Sequence, residues 1–290
     1  MCTLIIGRDL VARGSVLVAA NRDEDPARPT DPPGVLSESP RVVGGRDRRA
    51  GGTWLAVREA RAVVAILNRR DRSGEPAPAA RGRSSRGMLA LEVAGAGEGD
   101  PHRRHGAGGR ARLPALVLER IDHWRSGDGS AALRRASAAL GRAFAALEEA
   151  PYAPFTLLFA APEACWMITL DLEGEPRFAE VSEGWHALTH ADLDDPNEPR
   201  TARLVRELEG FSPRTVAEAE QRLDHLLRSH GDPPSVPPVC LHSGPMVTVS
   251  ASSVWLAADE ARYRHAEGRP CEHAFRDVSR LLGAPAPERR

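Results

Sequence analysis

Neither sign of charge predominates in this chain: 39 Lys and Arg stand against 40 Asp and Glu, a formal net charge of -1 over 290 residues. That balance gives no electrostatic case for a nucleic-acid or anionic-membrane partner. Long apolar runs are missing too. The opening stretch MCTLIIGRDLVARG interrupts its short apolar run with Arg8 and Asp9. It therefore forms neither a signal-peptide core nor the roughly twenty apolar residues of a spanning helix. The expectation is a cytoplasmic protein with no integral membrane segment. Cysteine is scarce: Cys2, Cys165, Cys240 and Cys271 have no paired metal-like spacing, and without an export signal their even number says little about disulfides. No repeat of fixed period occurs, and no Gly-x-Gly-x-x-Gly, Walker, EF-hand or His-Glu-x-x-His motif.

What is present is an alternation of strand and helix signals. Residues 3–6 and 15–20 are short, apolar and β-prone, with Gly7 and Gly14 at the connection. Antiparallel pairing about residue 11 or 12 brings Cys2 to the neighbourhood of Asn21 and Arg22. A second hairpin, 53–57 with 61–67, turns through Arg58-Glu59-Ala60 and brings Gly51-Gly52 close to Asn68. Residues 69–109 are rich in Arg, Gly, Pro and Ala and read as a loop-rich insertion, with a short helix over 84–93. Helical periodicity covers 112–124 and 130–150, strand signals 155–160, 165–171 and 177–181, and helices again 200–208 and 215–229. A last hairpin is expected from 246–250 and 253–258. Strands, helices, strands, helices, strands in that order favour a layered α+β fold over a doubly wound α/β one.

Cys2 is the sharpest chemical candidate. Removal of Met1 would leave its thiol beside its own α-amine, whose ordinary pKa of about 7.7 to 8.0 suits a proton acceptor near neutral pH. A thiolate there could attack an amide or ester carbonyl. The competing reading is a small packed hydrophobe at a strand start. Arg22 could bind an anionic or carbonyl group and stabilise the thiolate, while Asp23 could orient the α-ammonium. On a regular strand the two point to opposite faces, so both can serve only where a bulge or turn intervenes, and a structural ion pair is the alternative. Asn68 could donate to a developing oxyanion or merely close a turn. His186, His190, His242, His265 and His273 have no zinc-specifying spacing, although a His or Cys could ligate haem iron if the fold placed it at a pocket. Trp54, Trp166, Trp185 and Trp255 read as core or pocket wall.

The stretch LVAANRDEDPARPT, with Asn21-Arg22-Asp23-Glu24 at its centre, followed by VVGGRD at 42–47, GGTWLAV at 51–57 and AILNRR at 65–70, resembles the NRDE family, also called the transport and Golgi organization protein 2 family. Weaker likenesses lie at HALTHADLDDP, 186–196, and SASSVWLA, 250–257. Through that family the chain is distantly similar to cysteine N-terminal nucleophile hydrolases. The resemblance implies a four-layer αββα sandwich over one domain, 1–290. It also implies Cys2 as nucleophile, Arg22 and Asp23 beside it, and Asn68 as an oxyanion contact. His190 stands where the related hydrolases carry a second Asn, and Ala251 where they carry an Arg. The function implied is hydrolysis of an amide or ester of a small acylated compound, without a cofactor. The alternative is a non-catalytic haem or acyl-lipid binding protein, reflecting the family's association with haem trafficking and lipid homeostasis.

Overall fold

The structure, a computed structural model, describes residues 2–70, 82–95, 115–126, 131–171, 174–231 and 236–283. Most of the expected insertion, 71–81 and 96–109, lies outside the described residues.

Two antiparallel sheets form the centre. The first has the order β10-β1-β2-β11-β12-β13, built from β1 (Thr3–Arg8), β2 (Val16–Glu24), β10 (Gly184–Leu188), β11 (Val247–Leu256), β12 (Ala261–Ala266) and β13 (Arg276–Asp277). The second has the order β3-β4-β5-β6-β7-β8-β9 and holds β3 (Thr30–Glu38), β4 (Arg41–Asp47), β5 (Leu55–Arg58), β6 (Ala62–Asn68), β7 (Phe155–Ala161), β8 (Ala164–Leu170) and β9 (Pro176–Glu180). Helices α1 (Arg86–Ala94), α2 (Ala115–Ser126) and α3 (Ala131–Glu149) cover the second sheet, and α4 (Pro199–Leu208) and α5 (Val216–Leu227) cover the first.

The layering follows from strands buried on both faces. Along β6, Val63, Ala65 and Leu67 enter the core between the sheets, whereas Val64 and Ile66 meet α1 and α3. Along β1, Leu4 and Ile6 point between the sheets and Ile5 points to α4 and α5. Period-two alternation with both faces apolar produces the continuous hydrophobic runs of the sequence. The result is helices, sheet, sheet, helices: the αββα sandwich. Among the described residues no helix is long and apolar enough to cross a membrane.

The expected first hairpin forms with Thr3 opposite Asn21 and Arg8 opposite Val16, a register centred on residue 12. Its turn uses the positive φ of Asp9 and Gly14, and the Asp9 carboxylate accepts from the Gly14 amide at 2.5 Å. The second turns at Glu59 and Ala60, both with positive φ of about 50°. Three expectations need correction. The expected hairpin over 246–258 is instead the single strand β11 (Val247–Leu256): Ala251-Ser252, small enough to read as a turn, lies in the sheet centre between β2 and β12. The β3–β4 hairpin was unforeseen, because Pro32 and Pro33 argue against a strand; they are tolerated because β3 is an edge, where missing amide donors face no partner. The strand at Gly184–Leu188 also went unread, its apolar character diluted by Trp185 and His186.

One buried group in the first sheet makes stability depend on pH. His265 on β12 is 6% exposed, and its Nδ1 lies 3.0 Å from the Ser252 hydroxyl. Burial pushes its pKa down to about 4. An unfolded chain protonates this imidazole near 6.5, so between those values the unfolded state binds more protons and stability falls as pH falls. The expected loss is at most about 3 kcal/mol on going from neutral pH to below 4. Urea midpoints at a series of pH values should show this slope, and His265→Asn should remove its share.

Candidate active site

Cys2 sits immediately before β1 and is packed, partly exposed, against the core between the sheets. Continuing the β1–β2 register by one residue sets it opposite Arg22. The register of β1 with β10 pairs Leu4 with Leu188, and continuing it by two residues sets Cys2 opposite His190. A small cavity of about 10 Å³, room for about one water, lies beside the thiol and is lined by Cys2, Thr3, Asn21, Trp54, Ile66 and Leu67, among others. Burial pushes the thiol pKa up, and the Asp23 charge adds to this; the Asp23 backbone amide and the Arg22 cation pull the other way.

Arg22 is 5% exposed, and its guanidinium carbon lies 4.2 Å from the centroid of the Trp54 ring. Nη1 donates to the Thr30 hydroxyl at 2.9 Å, and Nη2 is 3.6 Å from the Glu24 carboxylate. Burial lowers the Arg22 pKa, while Cys2 and Glu24 raise it. A cation held over an aromatic face gains about 0.5 to 2 kcal/mol, more as water is removed. The ring owes its position to Gly45: a Cβ there would come within 2.2 Å of Trp54 Cη2. The same crowding holds at Gly52, whose Cβ would strike the backbone of Gly87 in α1 at 2.2 Å. These glycines thus permit a rigid ring and a helix to approach backbone. Gly45→Ala is expected to destabilise by about 1 to 3 kcal/mol through overpacking. Near-ultraviolet circular dichroism of Trp54 and the urea midpoint should shift together.

Asp23 faces the other way. Its Oδ1 accepts from the Thr248 hydroxyl at 2.7 Å, and Oδ2 is 3.4 Å from Nη1 of Arg200, which also donates to Thr3 Oγ1 at 3.0 Å. Burial raises the Asp23 pKa, and Thr248 and Arg200 lower it. β2 carries no bulge at Arg22-Asp23; the irregularity lies on the partner strand, where Thr248 pairs with Asp23 but Ser250 with Arg22, leaving Val249 as the extra residue of β11. It seats Thr248 on Asp23, while Arg22 and Asp23 keep opposite faces. Asn21 is structural, its amide donating to the carbonyls of Leu227 and Val239 at 2.9 and 3.0 Å and tying the sheet to the end of α5.

Arg200 was not foreseen. It occupies the first turn of α4 behind Glu198, which caps the helix, and Pro199, a context that announces a helix start but not a buried cation. Ala251 is 1% exposed in mid-sheet, opposite Asn21. Arg86, at the start of α1, is another unforeseen one: Nη1 donates to the Pro154 carbonyl at 3.0 Å, and burial lowers its pKa.

His190 is half-buried, with Nδ1 enclosed and unpartnered among the described residues, and burial lowers its pKa so that the ring is neutral at pH 7. Asn68 ends β6 opposite Phe155 with an exposed side chain. Strand alternation gives it the face of Ile66, which packs toward the helices, opposite to Leu67 between the sheets. Cys2 and Arg22 are therefore brought together, Asp23 touches the site through its backbone, His190 flanks it, and Asn68 ends β6 with its side chain on the other face of that strand.

A larger cleft of about 520 Å³ lies elsewhere, lined by Phe144, Tyr152, Pro154 and Leu170 with Glu148 and Asp171. Its described lining holds no Cys, His or Ser. The cavity at Cys2 is well below the usual size of a small-molecule site.

A family model described as Transport and Golgi organisation 2 matches residues 1–238. A search of curated proteins gave no significant match. Three solved structures are distantly similar. Penicillin V acylase from Agrobacterium tumefaciens shares 10% identity at a TM-score of 0.48, covering 97% of this chain and 88% of that one. The N-acylethanolamine-hydrolyzing acid amidase ortholog of Caenorhabditis elegans shares 10% at 0.45, covering 87% and 92%. A mutant conjugated bile acid hydrolase from Clostridium perfringens shares 12% at 0.45, covering 98% and 95%.

Proposed function

The chain belongs to the Transport and Golgi organisation 2 family, and from that premise we propose that it is an N-terminal cysteine hydrolase acting on the amide or ester bond of a small acylated compound. The observation that carries this reading is the position of Cys2: a thiol one residue from the chain start, ahead of a central strand, at a cavity, beside a buried arginine laid over Trp54.

In the proposed reaction, loss of Met1 exposes the α-amine of Cys2, which takes the thiol proton as sulfur attacks the acyl carbonyl. Arg22 stabilises the negative charge gathering at sulfur and carbonyl oxygen. Asp23, fixed by Thr248 and Arg200, holds the α-ammonium in place. Collapse of the tetrahedral adduct breaks the carbon–nitrogen or carbon–oxygen bond, and the leaving group departs with the proton from the ammonium. Water then cleaves the thioester, releasing the acid and restoring the thiol. His190 and Asn68 are the candidate oxyanion donors of this reading.

Intact-mass measurement of the purified chain is expected to show Met1 absent. A thioester-forming acyl probe should add one acyl group, located at Cys2 by peptide mapping. Active protein that retains Met1 would exclude the free-amine mechanism, and labelling elsewhere would exclude Cys2 as nucleophile.

A further inference from the structure

A second constellation lies on the first-sheet side, away from the cavity of Cys2. His230 just beyond α5, Cys240 and His242 in the segment leading to β11, and Cys271 in the turn after β12 converge so that one ligand atom from each lies within 4.8 Å of all the others. Cys240 Sγ is 3.5 Å from Cys271 Sγ and 3.8 Å from His242 Nε2, which is itself 3.1 Å from Cys271 Sγ. The rings of His230 and His242 meet edge to face at 4.6 Å.

These separations have the size of tetrahedron edges. With metal–sulfur bonds of about 2.3 Å and metal–nitrogen bonds of about 2.0 Å, the sulfur–sulfur edge is about 3.8 Å and the sulfur–nitrogen edge about 3.5 Å. Cys240, Cys271 and His242 already approximate three corners, and rotation of the exposed His230 ring supplies the fourth. A disulfide requires the two sulfurs at about 2.05 Å, and it leaves the convergence of two imidazoles on the same point without a role. We infer that these four residues form a tetrahedral Cys2His2 site for a zinc ion. Zinc displaces the two thiol protons to solvent, and two thiolates with two neutral imidazoles leave the site without net charge. All four corners come from protein, the arrangement of a structural rather than a catalytic zinc.

The surroundings are built for holding. Ser229 O accepts both the Val239 and Cys240 amides at 2.9 Å, which closes the chain between His230 and Cys240. Arg203 of α4 clamps the same segment, donating to Pro237 O at 2.7 Å and Ser229 Oγ at 2.6 Å. His242, with Nε2 toward the sulfurs, has Nδ1 3.6 Å from the Glu272 carboxylate, the outer partner that commonly orients a metal-bound imidazole. The neighbouring Leu241 amide donates to Thr248 Oγ1 at 2.9 Å, and that hydroxyl donates to Asp23 at 2.7 Å. The ion would thus staple three separate loops and, through Leu241 and Thr248, steady the carboxylate beside Cys2. Cys240, His242 and Cys271 lie beyond the 1–238 span matched by the family model, and the assignment does not rest on the hydrolase reading.

The full chain, purified under reducing conditions and incubated with Zn2+, is expected to retain about one zinc by mass spectrometry after desalting. Replacement by Co2+ should give thiolate-to-cobalt charge transfer in the near ultraviolet and the visible bands of tetrahedral cobalt. Cys240→Ser combined with Cys271→Ser should abolish both. His230→Ala, at an exposed position, should weaken zinc binding while leaving the far-ultraviolet circular dichroism unchanged, which separates ligand loss from misfolding. Three results would overturn the assignment: no uptake of either metal, undiminished binding by the double serine variant, or a Cys240–Cys271 disulfide that excludes metal.

Discussion

A Cys2→Ala chain is expected to lose hydrolysis of an acylated substrate by at least about 10³-fold, because removal of a nucleophile leaves only the background that positioning and fixed dipoles supply. The loss should fall on turnover rather than on substrate binding, since alanine keeps the cavity walls of Trp54, Ile66 and Leu67. Acyl labelling should vanish together with activity. The urea midpoint should change little, because Cys2 is only partly buried and loses one sulfur. If turnover persists in the alanine variant, the proposed reaction is wrong whatever becomes of the zinc site, which contains no Cys2. Measurement of kcat and KM on wild type and variant, with intact mass recorded for both, decides it.

The second large effect is on stability. Asp23 is 3% exposed and Arg200 6% exposed, with 3.4 Å between Oδ2 and Nη1. Asp23→Ala removes the acid and leaves a buried guanidinium whose Nη1 still donates to the Thr3 hydroxyl at 3.0 Å. Breaking a buried pair from one end typically costs about 3 to 5 kcal/mol, since the stranded charge is no longer compensated. The urea midpoint of Asp23→Ala should fall accordingly, with little change in the slope that reports exposed area. Asp23→Ala combined with Arg200→Met should recover part of the loss, because the double change removes the stranded charge along with its partner. If both variants match wild type, the pair contributes nothing to the fold.

Much of the sandwich is legible from local pattern. The hairpin centred on residue 12 and the turn at Glu59-Ala60 follow from short apolar runs broken by turn residues, and the helices of 131–149 and 216–227 follow from apolar spacing within one segment. Errors arise where a neighbour overrides local preference. Ala251-Ser252 looks like a turn until β2 and β12 enclose it, and Pro32-Pro33 looks unlike a strand until an edge position relieves it.

The site divides in the same way. Cys2 and Arg22 could be placed together because a single hairpin joins them, and their register needs only the turn between. Arg200 and Thr248 could not, since they reach Asp23 across 177 and 225 residues of sequence. The four zinc ligands have no motif spacing for the same reason: α5, the approach to β11 and the turn after β12 meet only when the first sheet is complete. By itself, then, the sequence determined the strand and helix periods, the first hairpin and a thiol beside Arg22. Only the tertiary structure decided which face Asp23 takes, which cation answers it and where the scattered His and Cys residues converge. Hydrogen bonds and turns within a hairpin are local, whereas burial, charge pairing and metal geometry depend on segments that become neighbours only through packing.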